Sequence, residues 1–240
     1  PHLKGFEHVE FNNLEAIEKK IDDETAGILV ETVQGEGGIT PAKKDYLKGL
    51  NGLAKKNDLL LFFDEVQCGV GRTGKFLAVE WVPSLKPNIV SIAKGIGGGF
   101  PLGALLLDKK TSAAMTKGSH GSTFGGNPLG MAVADVVLNH VLKDDFLDHV
   151  REIGYELRQN LLKNIVKKFP KLVKGVRGIG LMIGLESVVE NTLIIDALRN
   201  QRLLTVRAGG NVVRMLPPLI LEMKHVEEAI QKIDKALGSI

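Results

Sequence analysis

The chain has 240 residues, 44% of them hydrophobic and 25% charged, the proportions of a globular protein with room for one large domain or two modest ones. A formal charge of +3, with Lys and Arg interspersed among Asp and Glu, and only 5% aromatic residues give no case for nucleic acid or anionic lipid and no stacking platform for single strands. The one cysteine, Cys68, cannot form an internal disulfide, which fits a reducing compartment and an expected cytoplasmic location, and no apolar run approaches the length of a membrane span.

The opening PHLKGFEHVEF has neither an apolar signal core nor a basic amphipathic leader, and it lacks an initiating methionine. Either it is processed or the chain begins partway through a longer one. Gly27 to Val33 reads as a buried strand, and Lys43 to Asn57 as an amphipathic helix with Tyr46, Leu47, Leu50, Leu53 and Ala54 inward. Leu59 to Asp64, Asn88 to Ala93 and Leu102 to Leu107 are three more apolar strands. Strands apolar on both faces and separated by helical segments predict a mainly parallel α/β sheet. Asn127-Pro128 is a helix start, a capping side chain followed by proline at the first helical position. A second helix is expected from about Asp145 to Phe169. Beyond it come a strand from Gly178 to Glu186, a helix from Asn191 to Gln201, strands at Leu203–Val206 and Asn211–Leu216, and a last helix from about Glu222 to Leu237. This half reads as a smaller α+β domain, giving domains of 1–144 and 145–240.

Three strand ends carry candidate chemistry. Glu31 ends the first strand and opens ETVQGEGG; Asp64 and Glu65 end the second and open DEVQCGVGRTG; Lys94 ends the third and precedes GIGGGFPLG. Parallel strands would bring these carboxylates and the amine to one edge of a sheet, where α/β proteins hold their ligands; taken singly, each is as well explained by an ion pair or a solvated strand end. Gly69 to Gly74 matches G-x-G-x-x-G, but a polar turn precedes it and Pro83 and Pro87 interrupt the segment that follows, so a dinucleotide loop is rejected. Six scattered histidines and one cysteine give no metal spacing. In His120-Gly-Ser-Thr-Phe-Gly-Gly126, backbone amides and two hydroxyls could hold a phosphate, or the loop could simply cap the next helix. A lysine, a carboxylate and a phosphate-holding loop together fit pyridoxal phosphate, whose aldehyde, ring nitrogen and phosphate need those three partners.

The segments ETVQGEGG, LLLFFDEVQCGVGRTGKF, SIAKGIGGGFPLGALL, HGSTFGGNPLG and NVVRMLPPL resemble the class III, ornithine-type, aminotransferases, over nearly the whole chain. The resemblance implies fold type I, a large pyridoxal-phosphate-binding domain with a smaller C-terminal α+β domain, and a homodimer. It implies that Lys94 binds the cofactor aldehyde covalently and shuttles the proton, that Asp64 pairs with the pyridine nitrogen, that Val66 packs on the ring, and that Gln67 lies near the phenolic oxygen. Thr123 would bind the phosphate of the neighbouring subunit's cofactor, and Ser122 would lie near the substrate. Arg214 would clamp a substrate carboxylate, Glu36 would neutralise Arg214 when no carboxylate is present, and Glu31 would support the site. The implied reaction moves an amino group between N-acetylornithine and 2-oxoglutarate, in arginine biosynthesis, with succinylornithine, ornithine or 4-aminobutyrate as alternative donors and a non-catalytic assembly subunit as a reading of another class. The family carries a long upstream portion holding further cofactor and substrate contacts, so the chain is expected to be the C-terminal part of such an enzyme. Thr32 stands where the family usually has proline, and Trp81 to Asn88 is slightly longer than usual.

Overall fold

The computed structural model describes residues 3–240. In chain order the elements are α1 (Leu14–Glu18), β1 (Gly27–Glu31), β2 (Val33–Gln34), β3 (Thr40–Pro41), α2 (Lys44–Lys56), β4 (Leu60–Asp64), β5 (Ile89–Ala93), β6 (Gly103–Leu107), α3 (Lys109–Ser112), α4 (Pro128–Val141), α5 (Asp144–Asn160), β7 (Val173–Ile179), β8 (Met182–Ser187), α6 (Asn191–Asn200), β9 (Val206–Ala208), β10 (Val212–Met215) and α7 (Met223–Leu237), with short 3₁₀ turns at Ala78–Trp81 and Lys94–Gly97 and a π turn at Leu161–Val166.

The first sheet has the order β1-β4-β5-β6. The β1–β4 and β4–β5 pairs are parallel, as two-faced apolar strands predict. β6 runs antiparallel to β5 because only the glycine-rich turn after Lys94 joins them, too short for a crossover. The register sets Glu31 beside Asp64 and Asp64 beside Ser91. Period-two alternation therefore puts these three on one face, with Leu29, Phe62 and Ile89. That face is open: Leu29 and Leu105 are about half exposed. The opposite face buries Val30, Leu61, Phe63, Val90 and Ile92 in one core with Leu47, Leu50, Leu53 and Ala54 of α2.

The second sheet is antiparallel, in the order β7-β8-β10-β9. Its core, built from Val150, Leu157, Leu161, Leu185, Val213, Val226 and Ile233 among others, lies under α5, α6 and α7. A third cluster, Val33, Ile39, Cys68 and Ala78 with Met182, Ala208 and Val212, joins the two halves behind the β2–β3 ribbon.

Several elements differ from the sequence expectations. The strand expected over Gly27–Val33 breaks at Thr32 into β1 and β2. The single strand expected over Gly178–Glu186 is a hairpin, turning at Gly180, whose φ is +56°. The strand expected at Leu203–Val206 starts instead at Val206. The long helix expected to reach Phe169 leaves α-helical geometry at Leu161 and passes through the π turn. The predicted start of α4 is as read: Pro128 takes the first helical position and Asn127 Oδ1 accepts from Gly130 N at 2.7 Å. No helix among the described residues is long and apolar enough to cross a membrane.

Candidate functional site

Asp64 ends β4 on the open face. Its Oδ1 accepts from Val66 N at 2.9 Å and from the Ser91 hydroxyl at 3.4 Å, which fixes the carboxylate and leaves Oδ2 without a hydrogen bond among the described residues. Lys94 follows β5 immediately, one strand over and three residues beyond Ser91, which pairs with Asp64. Its φ of +49° lies where a non-glycine residue is strained, a condition that clusters at working sites. The Lys94 ammonium is exposed and makes no hydrogen bond or ion pair among the described residues. The glycine-rich turn that carries it packs on α4: a β-carbon at Gly98 would lie 3.1 Å from Val137, and one at Gly130 3.3 Å from the Phe100 ring.

Glu31 caps the neighbouring strand. Burial pushes its carboxyl above the usual range, the Gly35 N–H bound at 3.0 Å opposes this, the Asp64 charge pushes the same way as burial, and the Lys94 charge pulls back. Glu31 therefore lies within electrostatic reach of both groups expected to hold a cofactor. Across from them, Arg214 on β10 donates from Nη1 to Glu36 Oε1 at 2.5 Å and to Gln67 Oε1 at 3.0 Å. Arg214 holds Glu36 below the usual carboxylate range through that hydrogen bond, with smaller help from Gln67 and Lys94. The arginine side chain is 12% exposed and the glutamate 76%. The buried Nε of Arg214 has no acceptor among the described residues, an unused donor on a planar fork suited to a carboxylate.

The structure thus brings Glu31, Glu36, Asp64, Gln67, Lys94 and Arg214 around one end of the first sheet, with Val66 half-buried on the same turn. Ser122 and Thr123 are not joined to them by any bond. Both sit in an exposed segment ahead of α4, and neither hydroxyl makes a hydrogen bond among the described residues.

Glu65 corrects the expectation that both carboxylates of the DE pair belong to the sheet edge. Adjacent residues point opposite ways, and Glu65 is fully buried. Its oxygens accept from Ala78 N and Val79 N at 2.8 Å each, from Thr32 Oγ1 at 2.9 Å and from the Cys68 thiol at 3.3 Å. The hydroxyl of Thr32, at the position where proline was expected, is therefore engaged. The G-x-G-x-x-G stretch is a packing turn: a β-carbon at Gly71 would meet Val141, and Arg72 donates to the carbonyls of Leu181 and Pro217 at 3.2 and 2.6 Å.

Solved structures share this fold over nearly the whole chain. An N-acetylornithine aminotransferase from Stenotrophomonas maltophilia superposes with a TM-score of 0.89 at 34% identity, over 99% of this chain and 63% of that one. An ornithine aminotransferase from Toxoplasma gondii gives 0.91 at 31%, over 100% and 57%. The fold is fold type I of the pyridoxal-phosphate-dependent transferases. Residues 4–237 match the family model of aminotransferase class-III, and the chain belongs to that family. Among curated relatives, the acetylornithine aminotransferase of Mesorhizobium japonicum is 50% identical over 97% of this chain, and that of Brucella melitensis 47% over 99%. The chain spans 58% of the length of each.

Proposed function

We propose that this chain carries the lysine-bearing part of a pyridoxal-phosphate-dependent aminotransferase, a transferase of amino groups between N-acetylornithine and 2-oxoglutarate in arginine biosynthesis. The observation that carries the proposal is that Asp64 and Lys94 lie at the C-terminal ends of the adjacent parallel strands β4 and β5, both within electrostatic reach of Glu31, while Glu36 pairs with Arg214. The groups present fit the cofactor: among the described residues, one Asp64 carboxylate oxygen, the Lys94 amine and the Ser122 and Thr123 hydroxyls make no hydrogen bond. When bound, pyridoxal phosphate supplies an aldehyde for covalent attachment and a ring that draws electrons from the substrate carbon.

Asp64 would hold a proton at the ring nitrogen, its aim kept by the bond from Val66 N. Lys94 would be the attachment point, and its amine, once released, would move a proton at the substrate carbon. Val66 would pack against the ring and Gln67 would serve the phenolic oxygen, while Glu31 braces the backbone at Gly35. Arg214 takes a substrate carboxylate, and Glu36 takes Arg214 when the substrate end nearby has none. Ser122 lies near the substrate, and Thr123 serves the phosphate of a second subunit across a homodimer interface, a role consistent with its exposed turn. The division into domains of 1–144 and 145–240 and a cytoplasmic location belong to the same proposal; the two main cores, ending at Val141 and beginning at Val150, support the first, and the single free thiol the second. The acetylornithine donor is preferred over ornithine because the curated relatives at 50% and 47% identity carry that name; among solved structures the two kinds of enzyme stand close together, acetylornithine enzymes at 31–34% and ornithine enzymes at 31–32%.

The test is chemical trapping. Cofactor is added to the purified chain, alone and with the additional segment of the Mesorhizobium relative supplied in trans, and the mixture is reduced with borohydride. A peptide mass shift at Lys94, lost in Lys94→Ala, is expected in at least one of the two. Attachment at neither, or at other lysines with no dependence on Lys94, refutes the proposal.

A further inference from the structure

The Glu36–Arg214 pair has a third member. Gln67, on the turn after β4, accepts from Arg214 Nη1 at 3.0 Å through its amide oxygen and donates to Glu36 Oε1 at 3.3 Å through its amide nitrogen. With the 2.5 Å bond between Arg214 and Glu36, three side chains from distant segments close a triangle. The amide has a prepared seat. A β-carbon at Gly35 would fall within 2.6 Å of the oxygen, carbon and nitrogen of the Gln67 amide, so the amide lies where any other residue would place a side chain. The backbone of that seat is itself held, by Gly35 N donating to Glu31 Oε1 at 3.0 Å.

The three members differ in freedom. The arginine is nearly enclosed and the glutamate is mostly in solvent. Glu36 can swing out into solvent, whereas Arg214 is nearly enclosed and keeps Gln67 as the other acceptor of its Nη1 among the described residues. A cation that loses its acid partner and has no second acceptor is free to reorient. One that keeps an amide oxygen on the same nitrogen stays aimed.

We propose that Gln67 is a specificity-determining residue of the carboxylate site: it holds the guanidinium of Arg214 in place while Glu36 leaves, and its amide N–H, released from Glu36, becomes a donor for the incoming substrate carboxylate. The substrate class is an α-carboxylate or dicarboxylate, and the inference rests on the carboxylate-binding role of Arg214 proposed above. Glu31 enters as a positioning residue, acting on Gln67 through the Gly35 backbone.

Two measurements on the purified full chain test it. The first is the titration of the Glu36 carboxyl by carbon NMR. The charges and dipoles that face this group are Arg214, Gln67 and Lys94, with Glu31 nearby. Gln67→Leu should move the Glu36 midpoint upward. So should Gly35→Ala, which displaces the amide without deleting any member of the triangle and is conformationally allowed, since Gly35 is not among the positive-φ glycines. Amide spectra establish that each variant is folded. The second is binding of glutarate, an inert dicarboxylate. Gln67→Leu should weaken it about tenfold, the effect of one charge-assisted hydrogen bond, and Glu36→Ala should strengthen it. A Glu36 midpoint unmoved by both variants overturns the inference. So does glutarate binding that depends on Arg214 yet is equal in the wild type and Gln67→Leu, and in that case the proposed function still stands. Glutarate binding that is absent, or indifferent to Arg214→Leu, overturns the carboxylate role of Arg214 and the inference with it.

Discussion

Glu65 is a carboxylate with no access to solvent and four donors aimed at it, so its removal has a magnitude that can be worked from its bonds. Glu65→Leu keeps most of the side-chain volume but strands the backbone N–H groups of Ala78 and Val79 and the Thr32 hydroxyl. Each buried donor left without an acceptor costs about 1–3 kcal/mol. Removing the carboxylate also relieves the desolvation that pushes its titration upward, which offsets part of that loss. The net expectation is a destabilisation of about 4 kcal/mol, a large share of the roughly 5–15 kcal/mol typical of a domain. Glu65→Gln keeps the shape and one acceptor oxygen, but turns an N–H₂ toward one of the two backbone N–H groups, and should cost about 2 kcal/mol. Urea unfolding followed by Trp81 fluorescence reads this well, because the indole lies beside the segment that Glu65 anchors and donates to Thr73 Oγ1 at 3.3 Å. The pH dependence supplies a sign. Because folding raises this carboxyl, its contribution is fully present below the ordinary carboxylate range and is lost as pH rises through the raised folded value. Wild-type stability should therefore fall across that window, and the Gln variant should lose that part of the slope. A Glu65→Leu protein within 1 kcal/mol of wild type, on the order of a single net hydrogen bond, would refute the view that this carboxylate organises the turn.

Thr32→Val removes the hydroxyl at 2.9 Å from Glu65 and should lower the stability measured in urea by about 1 kcal/mol; no change would mean that the hydroxyl is a bystander. Arg72→Met strands the carbonyls of Leu181 and Pro217 and should cost about 2–4 kcal/mol. Faster hydrogen exchange at Leu181, whose N–H donates to Arg72 O at 3.1 Å, should accompany it, and exchange as slow as in wild type would refute it. Thr123→Ala should weaken cofactor affinity about tenfold, by loss of one charge-assisted bond, with no change in melting temperature when cofactor is absent, because the hydroxyl makes no hydrogen bond among the described residues. A drop in the cofactor-free melting temperature would instead assign it a structural role.

The large features of the fold were legible because they rest on short-range patterning. Strands apolar on both faces announced the parallel sheet, and Asn127-Pro128 announced α4. Errors arose where a pattern continued through a change of geometry. The apolar stripe of α5 runs on through Leu161 and Ile165, both fully buried, and periodicity does not register the π turn that carries them. The hairpin of β7 and β8 looked like one strand because Leu181, at its tip, is as apolar as the strands. The signal was the glycine spacing: Gly178 and Gly180 both take positive φ, and a β-carbon at Gly178 would collide with the Met182 carbonyl. The opposite fates of Asp64 and Glu65 were readable from strand alternation alone.

The triangle of Glu36, Gln67 and Arg214 had no local signal, since its arginine lies 178 and 147 residues from its two partners. What sets their meeting is the cluster between the two sheets. Ile39 is fully buried and takes a φ of +54°, a strained setting for a β-branched residue. It persists because its side chain fills the space that Gly178 and Gly184 leave, where a β-carbon would lie 3.0 Å from it in each case. Gly184 is the residue paired with Arg214 across β8 and β10. On the other side of the same loop, Gly209 N donates to Glu36 O at 2.7 Å. Packing at Ile39 therefore fixes the β10 backbone, and the bond at Gly209 fixes the Glu36 backbone, so that both ends of the ion pair are positioned by the core rather than by the charges. The ion pair is then free to exchange partners, since breaking it releases no packing. The carboxylate exchange proposed for Arg214 requires that property.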